Sequence, residues 1–323
     1  MIYIDGLEYI KSDNEYIKTA INNHLEKMDV TVNTSGTTGH PRTIHHTAES
    51  IKKISDYNTD FFELKSNSKM LTLFSPKGIA FTTMALYPCR NAGCDLFIET
   101  KVNKYIERVN YIKPTHTVIL PSLYNMLSRH KSWEDLDLSS CEHFGIGSDF
   151  TPVGALTDFR MKGAKKAYSI YGSTEVPPLV ATTESDNHYT WEGINPNIDI
   201  EIKNSELSVK WKHQKEWWSS GDLVEETYRG FKLVGRKLNM FKLGECGNRV
   251  YPEQVEKVAI ELGATRALCR KVNEKCHLYY TGDLNKKALK SSFTFGLIVK
   301  EVMKIEVDDN LRKVKRDQCI LDF

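Results

Sequence analysis

The residues best equipped for chemistry sit in one stretch, Thr34-Ser35-Gly36-Thr37-Thr38-Gly39-His40-Pro41-Arg42. It follows the alternating run Asp29-Val30-Thr31-Val32 and precedes a segment with helical periodicity. Four hydroxyls and two glycines in six positions are poor core material. Gly36 and Gly39 tolerate positive φ and expose backbone N–H groups, and the Ser and Thr hydroxyls add short donors, so the stretch is suited to wrapping a polyphosphate. Arg42 would complete a cationic clamp. The nucleotide-binding loop of P-loop NTPases needs G-x-x-x-x-G-K-[ST], and Gly36-Thr-Thr-Gly39-His-Pro-Arg does not fit that pattern.

Further polar clusters follow. Phe144-Gly145-Ile146-Gly147-Ser148-Asp149 is a glycine-rich strand end where the backbone can approach a ligand closely, or a simple strand-to-helix turn. Tyr171-Gly172-Ser173-Thr174-Glu175 places an aromatic ring, a glycine, two hydroxyls and a carboxylate after the strand-like AYSI run. Ser219-Ser220-Gly221-Asp222-Leu223 is followed by Val234-Gly235-Arg236, and near the C-terminus come Asn310-Leu311-Arg312-Lys313-Val314-Lys315-Arg316.

Taken in order, these stretches resemble the motifs of the adenylate-forming superfamily: acyl-CoA synthetases, carrier-protein adenylation domains and luciferases. The resemblance spans residues 34–316 and includes Val250-Tyr251-Pro252-Glu253-Gln254-Val255-Glu256, with Pro252 suited to the first turn of a helix. It implies that Thr34, Ser35, Gly36, Thr37, Thr38, Gly39 and Arg42 form the phosphate loop for ATP, and that Gly147 and Ser148 lie along the adenine and acyl pockets. Tyr171 would stack on adenine, with Gly172 and Ser173 beside it and Thr174 and Glu175 turned toward ATP and Mg²⁺. A ring offers a face for a purine and a carboxylate is a hard oxygen ligand for Mg²⁺, so the residue types agree with those roles. Asp222 would take the ribose hydroxyls, accepting from both vicinal OH groups, and Arg236 would contact ribose or phosphate. The same two residues would also serve as a plain surface ion pair. Lys313 would bridge the carboxylate and the α-phosphate, its compact ammonium facing the oxyanion that develops at phosphorus. Lys315 is the alternative, and a basic solvated tail accounts for the same four cations.

The implied reaction joins a small carboxylic acid to ATP as an acyl-adenylate, releases pyrophosphate, and passes the acyl group to a thiol, with CoA the default acceptor. Two other readings stay open: loading of an acyl carrier protein or an amine, and a non-catalytic nucleotide-binding homologue. Three residues depart from the family pattern: Arg42, Arg312 where relatives have Gly, and Leu238 where many place an Asp or Lys hinge. A large domain over 1–236 holding the ATP and carboxylate site, a small C-terminal domain over 237–323 and a hinge near 237–240 are expected. The short lead-in before residue 34 resembles an abbreviated member, similar to some bacterial o-succinylbenzoate-CoA ligases.

The elements that must hold these loops follow from periodicity. Residues 70–171 alternate short β-rich runs (MLTLF, DLFI, TVIL, HFGI, AYSI) with helical ones, which predicts an α/β fold with a mostly parallel sheet covered on both faces. Thr47 caps a helix through Ile51, Ile54, Tyr57 and Phe61. Residues 178–235 read as a β subdomain, and the tail as a helix near 252–262, strands near 266–272 and 276–281, and a further helix near 294–304. An apolar segment, Phe74–Phe81, is the candidate acyl pocket, with Lys77 read as a surface lysine beside a turn. His116 and the His45-His46 pair show no partner pattern for a metal or triad and read as structural or surface groups.

Composition is that of an ordinary globular chain, 323 residues with 40% hydrophobic and 27% charged. The net charge of +2 provides no broad basic field, so nucleic acid is not a favoured partner. No apolar run approaches membrane-spanning length, no signal or transit peptide is evident, and the seven cysteines lack a C-x-x-C pair. Reduced thiols and a cytoplasmic location, with no membrane partner, are the expectation.

Overall fold

The computed structural model describes residues 1–27, 29–33, 43–177, 179–185, 187–243, 248–272, 275–292 and 299–304. It divides into two units. The first holds the described residues up to Ser185 together with 192–196; the second holds 187–191 and the described residues from Asn197 onward.

The first unit begins with β1 (Ile2–Ile4), β2 (Leu7–Glu8) and α1 (Glu15–Glu26), then a hairpin of β3 (Val30–Asn33) and β4 (Thr43–His46), and α2 (Ala48–Phe61). There follow β5 (Lys69–Thr72), α3 (Ile79–Phe81), a π-helical turn (Thr82–Leu86), α4 (Tyr87–Ala92), β6 (Asp95–Ile98), α5 (Tyr105–Ile112), β7 (His116–Ile119) and α6 (Pro121–Leu127). The unit closes with β8 (His143–Gly147), α7 (Ala155–Met161), β9 (Lys166–Tyr171) and β10 (Ala181–Thr183). Eight strands form one sheet in the order β10-β9-β8-β7-β5-β6-β1-β2. From β9 to β1 every neighbouring pair is parallel, and the edge strands β10 and β2 pair antiparallel.

Successive strand residues face opposite ways, so each buried strand feeds two cores. Leu71, Ile119, Phe144, Ile146 and Ala167 pack with α5, α6 and α7 on one face. Met70, Leu96, Ile98, Val118, Tyr168 and Ile170 pack with α1, Phe62 and the Phe81–Cys89 run on the other. The alternation expected over 70–171 is therefore present, with helices on both faces. Thr47 caps α2 by accepting from Ser50 N at 3.3 Å, a contact worth ~1 kcal/mol.

The second unit opens with β11 (His188–Thr190), β12 (Ile198–Lys203), β13 (Glu206–Trp211), β14 (Trp218–Thr227) and β15 (Gly230–Arg236), an antiparallel sheet in the order β11-β15-β14-β13-β12. Tyr189, Ile198, Leu207, Val209, Trp211, Val224 and Phe231 are its buried apolar side chains among the described residues. Arg236, expected to close the large domain, ends β15 inside this unit. Next come β16 (Phe241–Leu243), β17 (Asn248–Val250), α8 (Pro252–Glu261), β18 (Ala264–Val272), β19 (Lys275–Gly282), α9 (Lys286–Ser292) and β20 (Val299–Lys304). Pro252 stands in the first turn of α8, as expected. The helix expected near 294–304 is corrected: 299–304 is β20, parallel to β19, with Val299 opposite Cys276 and Val302 opposite Leu278. Branched side chains with a partner strand favour sheet over the local helical spacing. No helix among the described residues is long and apolar enough to cross a membrane.

At the N-terminal ends of β7 and β8, His116 and His143 stack with centroids 5.2 Å apart. His116 Nε2–H donates to the Phe62 carbonyl at 2.6 Å and His143 Nδ1 lies 2.9 Å from the Tyr168 hydroxyl. Burial pushes the His143 pKa down to about 4, aided by the nearby His116 and Lys166 charges, and burial lowers His116 as well. The unfolded chain titrates these rings near 6.5, so it takes up protons first as pH falls. The contribution to stability is full above pH 6.5 and is lost between 6.5 and 4, on the order of 3 kcal/mol for His143. Urea unfolding across that window is expected to show a smaller acid loss in His143→Gln than in the unsubstituted protein; parallel losses would show that other groups carry it.

Candidate active site

Within the first unit, β8 and β9 end side by side. Gly147 lies opposite Ile170, and a Cβ at Gly147 would sit 2.7 Å from the Ile170 carbonyl oxygen. Glycine is what lets the two strands run this close. Ser148 follows at φ +77°, a left-handed conformation uncommon outside glycine, and its exposed position carries the chain off the sheet. Gly147 and Ser148, two of the expected site residues, thus occupy the C-terminal edge.

Tyr171 ends β9, buried, and its carbonyl accepts from Val180 N at 2.9 Å as the chain returns to β10. Gly172, Ser173, Thr174 and Glu175 are half-buried. Ser173 Oγ accepts from Val176 N at 3.1 Å, a side-chain turn that tightens the loop from inside. The Thr174 carbonyl accepts from His46 Nε2–H at 2.8 Å. His46 is the last residue of β4, the strand that follows the 34–42 stretch in the β3–β4 hairpin, where Asn33 pairs with Thr43 and Val30 with His46. It is buried, and that burial holds its pKa below the usual histidine value against the opposing effect of the Thr174 bond. Since its partner is a carbonyl oxygen, the ring carries a proton on the nitrogen that faces Thr174.

Thr34, Ser35, Gly36, Thr37, Thr38, Gly39 and Arg42 lie outside the described residues, as do Lys313 and Lys315. His46 is the group that reading along the chain missed. The available signal was the alternation of the hairpin, which turns His45 outward and His46 inward.

In the second unit, Asp222 on β14 and Arg236 on β15 are cross-strand partners, and Arg236 Nε lies 3.0 Å from Asp222 Oδ1. Asp222 is buried while the guanidinium is half exposed. Asp222 N–H donates to Ser220 Oγ at 3.0 Å, and that hydroxyl donates to the Leu207 carbonyl at 2.7 Å. The two expected residues are brought together as an ion pair. Among the described residues of the Phe74–Phe81 segment, Phe74 and Phe81 are buried and Lys77 is exposed with its Nζ 4.7 Å from the Tyr16 ring centroid.

The fold is similar to that of the anthranilate CoA ligase AuaEII, solved with anthranoyl-AMP (TM-score 0.75, 15% identity, 88% of this chain and 64% of that one). It is likewise similar to O-succinylbenzoate coenzyme A synthetase from Bacillus subtilis, solved with AMP (TM-score 0.72, 17% identity, 90% and 68%). At these identities the likeness is one of fold. Residues 11–228 match the family described as AMP-binding enzyme, and the chain belongs to that family. Curated relatives include an indoleacetate–CoA ligase of Aromatoleum aromaticum (24% identical, 70% of this chain and 50% of the relative). Another is a medium/long-chain fatty-acid–CoA ligase of Mycobacterium tuberculosis (25% identical, 73% and 47%). The chain spans about half the length of the curated relatives it matches.

Gly147→Ala is expected to destabilise the protein by about 1–3 kcal/mol, because the methyl must push β8 away from the Ile170 carbonyl. Thermal or urea unfolding checks this, and an unchanged midpoint would show that the strands separate freely.

Proposed function

We propose that this chain activates a carboxylic acid with ATP. In the first half-reaction a carboxylate oxygen attacks the α-phosphorus, the bond from that phosphorus to the bridging oxygen breaks, and pyrophosphate leaves. In the second, a thiol loses its proton to solvent, its sulfur attacks the acyl carbon, and AMP departs with the carboxylate oxygen. The observation that carries the reading is the Tyr171–Glu175 loop beside Gly147 at the C-terminal edge of a parallel sheet, in a chain of the AMP-binding enzyme family. Ligands of open α/β sheets gather at that edge.

In this reading the 34–42 stretch cradles the phosphates, Gly147 and Ser148 lie along the adenine and acyl pockets, and Tyr171 gives its ring to the adenine. Asp222 takes the ribose hydroxyls and Arg236 holds it in place or reaches the phosphates. Lys313 faces the charge that builds on the reacting oxygens. Among the described residues no three His, Cys, Asp or Glu side chains gather into a metal cluster. One half-buried carboxylate, Glu175, beside the Thr174 hydroxyl suits an ion that keeps most of its water and takes its other ligands from phosphate, as Mg²⁺ does. When bound, Mg²⁺ offsets the phosphate charge. Bringing acid and nucleotide together in line supplies much of the remaining rate.

The proposed domain division, 1–236 and 237–323, allows the C-terminal part to rotate about 237–240 between half-reactions. Within the second unit Asn239 of that segment donates a hydrogen bond to Glu253 at the start of α8, a contact such a rotation would exchange. CoA is the proposed acceptor. Similarity to a D-alanine–D-alanyl carrier protein ligase of Bacillus licheniformis (24% identical, 66% of this chain, 45% of the relative) favours a carrier-bound thiol as the second reading. Acyl transfer from preformed adenylate to CoA against a carrier protein separates the two.

Carboxylate-dependent exchange of pyrophosphate into ATP, run over aryl, short aliphatic and dicarboxylic acids, tests the core of the proposal. Exchange is expected with at least one acid and is expected to drop about 10²-fold or more in Glu175→Gln. ATP binding without exchange across the panel would leave a nucleotide-binding protein in place of an enzyme. Lys313→Ala is expected to suppress adenylate formation by a similar factor with ATP affinity nearly unchanged. An unaltered rate moves the role to Lys315.

A further inference from the structure

We propose that His46 is a positioning residue for adenylation: its Nε2–H holds the Thr174 carbonyl and so sets where the Thr174 and Glu175 side chains point. The inference rests on the reading of those two side chains as the groups that face ATP and its metal ion.

Three contacts make the end of β4 a rigid mount. Thr47, the next residue, caps α2 through Ser50 N, and Ala48 N–H donates to Asp29 Oδ1 at 2.6 Å, closing the base of the hairpin. α2 itself is held by buried Ile51 and Ile54 and by Asn58 Nδ2–H donating to the Thr83 carbonyl at 2.7 Å. His46 projects from this mount and reaches a loop 128 residues further on. That loop is closed at its base by Val180 N–H on the Tyr171 carbonyl and inside by Val176 N–H on Ser173 Oγ, and the His46 bond reaches its Thr174 carbonyl from a different element. A buried imidazole whose Nε2–H meets a carbonyl oxygen is a fixed donor to that carbonyl. Swinging a peptide plane by a fraction of an ångström at Thr174 moves both flanking side chains, and misplacements near 1 Å cost enzymes about 10²-fold.

The test compares His46→Gln with His46→Asn. A glutamine amide reaches about as far as Nε2, whereas an asparagine amide reaches only the Nδ1 position, and both keep a polar group of similar burial. In pyrophosphate exchange His46→Gln is expected to stay within about threefold of the unsubstituted protein, while His46→Asn loses about tenfold or more in kcat. In calorimetric ATP titration His46→Asn is expected to lose most of the gain in affinity that Mg²⁺ gives, with metal-free affinity unchanged, and His46→Gln to keep it. Equal behaviour of the two variants overturns the assignment, as does a loss of exchange that tracks the fall in melting temperature in both. If the unsubstituted protein exchanges no pyrophosphate with any acid, the parent reading fails. The Mg²⁺ dependence of ATP binding in the two variants then decides the role of His46 by itself.

Discussion

Two strands that run the same way cannot be joined by a tight turn, so β5, β6, β7 and β8 each return through a crossover before the next strand of the parallel run, which ends with β9. All of them therefore finish along one edge, and the loops that follow them open there. The apolar residues of these strands serve helices on both faces, which leaves the edge as the place where polar side chains can stand without disturbing a core. At the other edge the same geometry buries His116 against His143, and the carbonyl of Phe62 and hydroxyl of Tyr168 satisfy what burial would leave unpaired.

The close approach of β8 to β9 at Gly147 and the left-handed turn at Ser148 belong together. Glycine leaves no side chain between β8 and the Ile170 carbonyl, and the turn at Ser148 then takes the chain away at the level where Tyr171 ends β9. The β3–β4 hairpin stands apart from the large sheet and is joined to this edge through His46. One hydrogen bond between a helix-anchored strand end and the Tyr171–Glu175 loop is a small energy, about 1 kcal/mol, yet it fixes the direction of the Thr174 carbonyl.

In the second unit the antiparallel sheet brings Asp222 and Arg236 into register across β14 and β15. The Ser220 hydroxyl fixes the Asp222 backbone, and the buried carboxylate meets Arg236 across the strands, which suits either a structural ion pair or recognition of neighbouring hydroxyls. Further along, Cys269 and Cys276 face each other across β18 and β19 with sulfurs 3.3 Å apart inside the apolar cluster of Val255, Ala259, Leu278 and Leu289. They fill core volume as small apolar side chains do.

The order of polar turns, the strand–helix rhythm over 70–171, the Thr47 cap and Pro252 at a helix start were legible from the residues alone, because each depends on neighbours within a few positions. Period, capping chemistry and proline geometry are local properties. The segment 299–304 was not legible, since its local spacing permits a helix and the sheet pairing with β19 decides otherwise. Nor was His46 distinguishable from His45, because the carbonyl it holds lies 128 residues away and only the folded chain brings it near. The sequence by itself determined the strand–helix architecture and where along the chain its polar, glycine-bearing stretches fall. The tertiary structure alone decided which backbone groups fix those residues in place, because such contacts are set by distances that no local pattern encodes.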